Sequence, residues 1–208
     1  MKHTNTRALY EYWNSLRGED SAPDRDDIKP GHIKWLLPDV FILEYKGEAK
    51  FPFSLAGTHL CDHYGMELRG LNLCDFWHGK DGVSFSHVLQ SVVEESAVGV
   101  IGFTAHTNMG RTCSMEMLVT PVRSPVRKPP RVMGSIVAFN PAILSEKTDE
   151  KISHHEIVSL RVLYPGKEEN DVSMTVLADG EPETTRSISG NHFTSIKHLK
   201  VIEGGRRG

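Results

Sequence analysis

The chain has 208 residues, of which 38% are hydrophobic and 25% are charged, and its formal net charge is -3. A chain of this length can bury enough apolar surface to fold without a metal or disulfides as staples. The balance of charges excludes the excess of positive charge that is typical of nucleic-acid binders, and the hydrophobic fraction excludes a disordered chain.

The cysteines and the apolar runs predict a cytoplasmic protein. Cys61, Cys74 and Cys113 are odd in number and widely spaced, which argues against a disulfide framework and against a zinc ribbon. No run reaches the roughly 18 apolar residues of a membrane span, and the first residues lack the apolar core of a signal peptide. We therefore expect a protein of the reducing cytosol, with no membrane insertion and no nucleic-acid partner.

Residues 1–31 are predicted to form an N-terminal helix and an acidic linker. The helix covers about residues 5–17, and its apolar stripe recurs at helical spacing and consists of Leu9, Tyr12, Trp13 and Leu16. The linker, residues 18–27, holds five acidic residues together with a proline and a glycine. The stripe can pack on the domain's own sheet or on the same helix of a second subunit, and the sequence does not choose between the two.

Five segments rich in β-branched and aromatic residues predict strands. They cover residues 40–45, 51–56, 99–106, 112–120 and 131–139. A long helix over about residues 83–97 separates the second strand from the third. Because the connections within each group of strands are short, we expect an α+β domain over residues 32–144, with a five-stranded antiparallel sheet and helices on one face.

Residues 145–208 are predicted as a C-terminal extension of uncertain order. This part is more polar than the domain before it, and several glycines interrupt it. Residues 157–163 and 172–176 are candidate strands within it.

The element order and several short motifs resemble the PAS fold. The motifs follow one another as Leu9-Tyr-x-Tyr-Trp13, Leu37-Pro-Asp-Val-Phe-Ile-Leu-Glu44, Leu55-Ala-Gly-Thr58, Glu67-Leu-Arg-Gly70 and Asp75-Phe-Trp77. The chain is most similar to a PAS subfamily found in single-domain proteins of alphaproteobacteria, and the resemblance extends to about Pro141.

This resemblance implies a non-enzymatic sensory or regulatory domain that acts in signal transduction through a protein partner. PAS domains hold a small ligand, or only apolar side chains, between helices and sheet, and they often form homodimers through flanking helices. A homodimer through the N-terminal helix is therefore expected. The sequence contains no Gly-x-Ser-x-Gly motif, no P-loop and no Rossmann glycine fingerprint, so no enzyme is predicted.

The alternation of the strands and the stripe of the long helix place ten apolar or aromatic side chains around the interior. They are Phe53, Tyr64, Phe76, Phe85, Leu89, Val92, Ile101, Phe103, Met115 and Met117. Methionines adapt to irregular gaps and to varied ligands, but they are also ordinary core residues. The pattern fits a cavity for a small apolar ligand and a fully packed core equally well.

No metal and no other cofactor is predicted. In a helix His59 and His63 share a face, but Cys61 does not, so this segment offers two metal ligands at most. The alternative is a haem sensor, because haem-binding PAS domains commonly use a histidine of the long helix and His87 lies in that helix. The residues around Cys74 lack the arginine and glutamine of flavin-binding PAS photoreceptors.

A phosphotransfer protein is a further hypothesis. The stretch Ser153-His-His-Glu-Ile-Val-Ser-Leu160 resembles the phosphoacceptor box of histidine kinases and indicates His155 as the phosphorylated residue. The β-branched residues that follow alternate as in a strand, however, whereas the kinase box occupies a helix.

The loop over residues 121–131 combines four prolines with four basic residues, which are Arg123, Arg127, Lys128 and Arg131. Prolines stiffen a loop and prevent strand pairing. The loop is interpreted either as a basic patch for an acidic partner or as an ordinary solvated hairpin loop.

Overall fold

One antiparallel sheet runs through the centre of the protein. The computed structural model describes residues 1–124, 129–145, 150–166 and 176–177, and seven strands lie within these ranges. The strands are β1 (Val40–Glu44), β2 (Phe53–Ala56), β3 (Val98–Thr107), β4 (Thr112–Val122), β5 (Arg131–Ala138), β6 (Ile152–Leu163) and β7 (Val176–Leu177). Their order across the sheet is β2-β1-β5-β4-β3-β6-β7. The first five strands form the predicted α+β arrangement, and β6 and β7 extend it beyond β3.

The described helices are α1 (Thr4–Arg17), α2 (Thr58–Tyr64), α3 (Gly79–Glu94) and α4 (Ala142–Ser145). α2 and α3 cover one face of the sheet, here called the inner face. α2, α3 and the 3₁₀ turn Leu73–Phe76 enclose the larger core cluster against this face. α3 buries Phe85, Leu89 and Val92, at the helical spacing that the sequence predicts. No helix among the described residues is long and apolar enough to span a membrane.

Two glycines fix the beginning and the end of α2. A Cβ on Gly57 would lie only 2.2 Å from the carbonyl oxygen of Pro38, so no larger residue fits there. Gly65 follows the helix with a φ of 61°, the left-handed conformation that favours glycine at a helix C-terminus. Between these glycines, Leu60 and Tyr64 are buried in the inner core.

The opposite face of the sheet, here called the outer face, is covered by α1 and the linker that follows it. The cluster buried there consists of Leu9, Trp13, Ala22, Ile28, Ile33, Leu36, Val40, Val98, Val100, Leu118, Val122 and Met133. The indole Nε1 of Trp13 donates a hydrogen bond to the carbonyl oxygen of Pro121 on β4 at 2.8 Å. The stripe of α1 therefore packs on the chain's own sheet, the first of the two arrangements that the sequence leaves open.

A buried carboxylate fixes the beginning of α1. Glu116 lies in the middle of β4 and is 2% exposed. Its two oxygens accept hydrogen bonds from the backbone N–H groups of Lys2 at 2.8 Å and His3 at 3.0 Å. A carboxylate at this position satisfies amide groups at the start of the helix and interacts favourably with the helix dipole.

β6 makes part of the predicted C-terminal extension a strand of the sheet. It pairs with β3 along the whole length of β3, and it buries Ile152, Ile157 and Leu160 in the inner core. The backbone N–H of Ile157 also donates to the carboxylate of Asp81, in the first turn of α3, at 2.8 Å. The sheet therefore has more strands than the five predicted for the domain, because β6 and β7 lie in the predicted extension. Bulges at Ser153 and Val158 interrupt the period of two in β6. The predicted strand 157–163 is the second half of β6, and 172–176 lies outside the described residues except for residue 176.

Replacing Glu116 tests whether its carboxylate holds the N-terminal segment on the sheet. Glu116→Gln keeps the size of the side chain but removes its charge and exchanges one acceptor for a donor. We expect the free energy of unfolding to fall by about 1 to 3 kcal/mol, measured by urea unfolding. The control is Glu48→Gln, at a side chain that is 87% exposed, with an expected change below about 0.5 kcal/mol. Equal effects of the two substitutions would contradict this role.

Candidate functional site in the inner core

The ten side chains predicted to line the interior come together in the inner core. Nine of them are 2% exposed or less, and Phe76 packs against the same cluster with part of its ring accessible. They are brought there by β2, α2, the 3₁₀ turn, α3, β3 and β4. The geometry thus agrees with the common interior that the sequence predicts, while a ligand among these residues stays a prediction.

The main addition to this set is His155 of β6, which is 3% exposed. Its ring lies among four aromatic rings, with centroid distances of 4.6 Å to Trp77, 4.7 Å to Phe103, 5.7 Å to Tyr64 and 5.8 Å to Phe76. The short backbone bridge between Trp77 and His155 holds the 3₁₀ turn beside β6. The sequence pattern puts His155 in the C-terminal extension, outside the predicted domain. The signal that could have placed it inside is its spacing of two from the apolar Ile157.

Hydrogen bonding leaves two nitrogen atoms of this aromatic cluster unsatisfied. Nε2 of His155 lies 2.7 Å from the hydroxyl of Tyr64, and the two share one hydrogen bond. Nδ1 of His155 and Nε1 of Trp77 are buried without a hydrogen-bond partner among the described residues. Buried polar atoms usually have partners, because desolvation without a hydrogen bond costs about 1 to 3 kcal/mol each. A few polar groups in an otherwise apolar interior are also the composition of small-molecule sites.

Burial keeps this histidine neutral. It lowers the pKa of His155 to about 3, and the positive charge that His154, His106 and His78 can carry acts in the same direction. Burial also raises the pKa of the Tyr64 phenol, so the pair is uncharged at neutral pH. The pair can therefore hydrogen-bond a polar ligand group but offers no charge to it.

The two alternative roles of histidines find no support in this geometry. Phosphotransfer needs an accessible imidazole nitrogen, whereas His155 is buried in a strand and its Nε2 is engaged by Tyr64. A haem ligand would have to point into the core, whereas the side chain of His87 is exposed on α3. Neither residue is placed as these hypotheses require.

The histidine pair of α2 lies outside the core. The rings of His59 and His63 are stacked with centroids 6.3 Å apart, and Nδ1 of His59 lies 2.8 Å from Oδ1 of Asp39. Burial, as the main cause, lowers the pKa of His63. Within the described ranges, no group of three or more His, Cys, Asp or Glu side chains is placed so that it could hold a metal ion.

The predicted interaction residues fall into two groups. Leu9 and Trp13 are fully buried on the outer face, and the hydroxyl of Tyr12 bonds the backbone of Lys29, so only the half-buried Leu16 and Tyr12 keep part of their surface accessible. In the basic loop, Arg123 pairs with Asp20 and Asp24, and Arg131 pairs with Glu44. Arg127 and Lys128 lie outside the described residues. Two of the four basic side chains thus serve contacts within the chain.

The neutral state of His155 predicts a loss of stability in acid. Because its pKa is about 3 in the folded protein and about 6.5 in an unfolded chain, the unfolded state binds more protons between these values. The contribution is fully present above pH 6.5 and falls as the pH is lowered, by up to about 1.4 kcal/mol per pH unit.

Unfolding free energies at pH 7 and pH 5 measure this contribution. The loss between the two pH values is expected to be roughly 1 to 2 kcal/mol smaller in His155→Phe than in the parent. His87→Asn, at an exposed histidine, is the matched control. A parent-like pH dependence in His155→Phe would contradict the assignment.

The N-terminal two thirds of the chain match a known family. A PAS domain family model matches residues 1–137. Among solved structures, a light-oxygen-voltage domain studied with a flavin analogue is 11% identical, with a TM-score of 0.42, over 55% of this chain and 86% of that one. The LOV protein of Rhodobacter sphaeroides is 10% identical, with a TM-score of 0.40, over 54% of this chain and 69% of that one. The comparison with curated proteins gave no match. Because the family model covers more than half of the chain, the resemblance seen in the sequence is confirmed and the protein belongs to the PAS domain family.

Proposed function

We propose that this PAS-domain protein is a cytoplasmic sensory module of signal transduction that acts without catalysis. In this proposal a small, mostly apolar ligand binds in the inner core, and its presence is passed to a protein partner. The observation that carries the proposal is the pair of unsatisfied nitrogens, on His155 and Trp77, inside a cluster of aromatic side chains.

The two nitrogens restrict the chemistry of the ligand. The indole N–H of Trp77 can only donate, so the ligand needs at least one acceptor atom, such as a carbonyl or ring nitrogen. Nδ1 of His155 donates if the hydroxyl of Tyr64 donates to Nε2, and it accepts in the opposite tautomer. The rest of the surroundings is apolar, which favours a ligand with one polar edge and a hydrophobic body.

The sheet offers a direct mechanical path from this site to the surface. Phe103 of β3 contacts the ring of His155 on the inner face, and Val100 of the same strand packs under α1 on the outer face. On β4, likewise, Met117 lies on the inner face and Leu118 on the outer face. Because neighbouring residues of a strand alternate between faces, a shift of β3 or β4 on ligand binding also moves the support of α1.

The partner surface is proposed around α1, including the predicted homodimer. The apolar stripe of α1 is mostly occupied by the chain's own sheet, so a second subunit would contact the helix through Tyr12, Leu16 and its outward polar side. A cytoplasmic location is supported by the cysteines, which are separate free thiols. Burial raises the pKa of the Cys74 thiol to about 12, which keeps it protonated and unreactive.

Native mass spectrometry tests the ligand and the subunit count together. The protein, purified without denaturation or incubated with the small-molecule fraction of a cell extract, is expected to carry a bound mass that denaturation releases. Trp77→Phe removes the indole N–H together with part of the ring and should lower the affinity at least about five- to tenfold. His87→Asn should retain the bound mass. A chain that carries no small molecule under either condition would contradict the ligand, and a purely monomeric spectrum would contradict the homodimer.

A further inference from the structure

Three histidines lie in a row where β3 ends and β6 begins. His106 of β3 and His154 of β6 are directly opposite each other in the sheet. Their rings are stacked, with centroids 4.4 Å apart and an interplanar angle of 7°. His78, beside β6 in the segment after the 3₁₀ turn, lies 6.2 Å from His154. Here this row, together with Glu156, is called the histidine row.

The hydrogen bonds of Ser153 fix the protonation of His154. The hydroxyl of Ser153 lies 3.0 Å from the carbonyl oxygen of His106, which can only accept, so its single proton points there. The same hydroxyl lies 3.1 Å from Nδ1 of His154 and must therefore accept from it. Nδ1 of His154 consequently carries the proton, and Nε2 of the neutral ring has a free lone pair.

The distance between a nitrogen of His106 and a carboxylate oxygen of Glu156 suits a bound metal ion. Nε2 of His106 lies 3.2 Å from Oε2 of Glu156. Two ligands bound to one tetrahedral zinc at about 2.0 to 2.2 Å are roughly 3.4 Å apart. A cation that replaces the proton between these two atoms would therefore bind both with little movement.

We propose that His106, His154 and Glu156 form a surface site for a divalent transition-metal ion such as Zn²⁺, with His78 as a neighbouring fourth ligand. As placed, no group of three or more such side chains among the described residues could hold a metal ion, so binding requires the ring of His154 to turn about its side-chain bonds, away from the contact between its Nδ1 and Ser153. The exposure of the groups allows this movement, because His106 is 27% and Glu156 60% exposed.

The donor set determines which ions bind. Imidazole nitrogens with one carboxylate suit Zn²⁺, Ni²⁺ and Cu²⁺, whereas Mg²⁺ and Ca²⁺ prefer oxygen ligands throughout. The site lies on the outer side of β6 and shares no side chain with the inner core.

Isothermal titration of the untagged full chain with ZnCl₂ tests the proposal. One saturable zinc site is expected, and an excess of MgCl₂ should not displace the metal. His154→Gln should weaken binding by at least about tenfold, and Glu156→Gln should weaken it less. His87→Asn is the matched control, at a histidine that is exposed on α3, and should bind as the parent does.

A second readout follows the ring of His154 directly. In long-range ¹H–¹⁵N spectra of the imidazoles, Nε2 of His154 should change its shift on addition of zinc, while Nδ1 keeps its proton. Circular dichroism of each variant separates loss of a ligand from loss of the fold. The proposal is overturned if zinc does not bind saturably or if His154→Gln folds and binds as the parent does. It is equally overturned if His59→Ala alone abolishes binding, since the metal would then lie on α2.

Discussion

The structure depends on a sheet that is apolar on both faces. Almost every residue of β4 and β5 is buried, and the first half of β3 is buried as well. Strands of this kind need a cover on each side, because a single exposed face would leave a continuous apolar surface in water. α2 and α3 cover the inner face, and the N-terminal segment covers the outer face. Polar contacts of Trp13, Glu116 and Arg123 hold the N-terminal segment on the outer face.

Local sequence patterns are enough to predict the helices and strands whose apolar residues recur with a clear period. The stripes of α1 and α3 and the β-branched runs of the first five strands predict the type of each element and the inner core. The surface that the α1 stripe packs against is not predictable from the sequence. An apolar stripe indicates that one side of a helix is buried, but it does not identify the packing partner. β6 is only half predicted, because bulges at Ser153 and Val158 break its alternation and its pairing with β3 joins residues about 45 to 65 positions apart. The surroundings of His155 follow from that long-range pairing, which no local pattern around this residue contains.

Adjacent residues of one strand carry two different kinds of histidine chemistry. His155 points into the inner core, where it is neutral and engaged by Tyr64, and His154 points outward into the histidine row. This division follows from the period of two along a strand, which puts neighbours on opposite faces. A metal bound at the histidine row would act on the same two strands, β3 and β6, whose inner sides contact the proposed ligand. The two sites could thus influence one another through the backbone without sharing any side chain.

The boundary of the family match does not coincide with the boundary of the hydrophobic core. The match ends at residue 137, whereas β6 begins at Ile152 and supplies His155, Ile157 and Leu160 to the inner cluster. Without β6, β3 would be an edge strand of ten residues, paired only with β4. The amide and carbonyl groups on its other side would be unpaired, and such an edge can template aggregation. The family match therefore ends before the hydrophobic core is complete. A domain excised from this chain would have to include β6 to keep the edge of β3 covered.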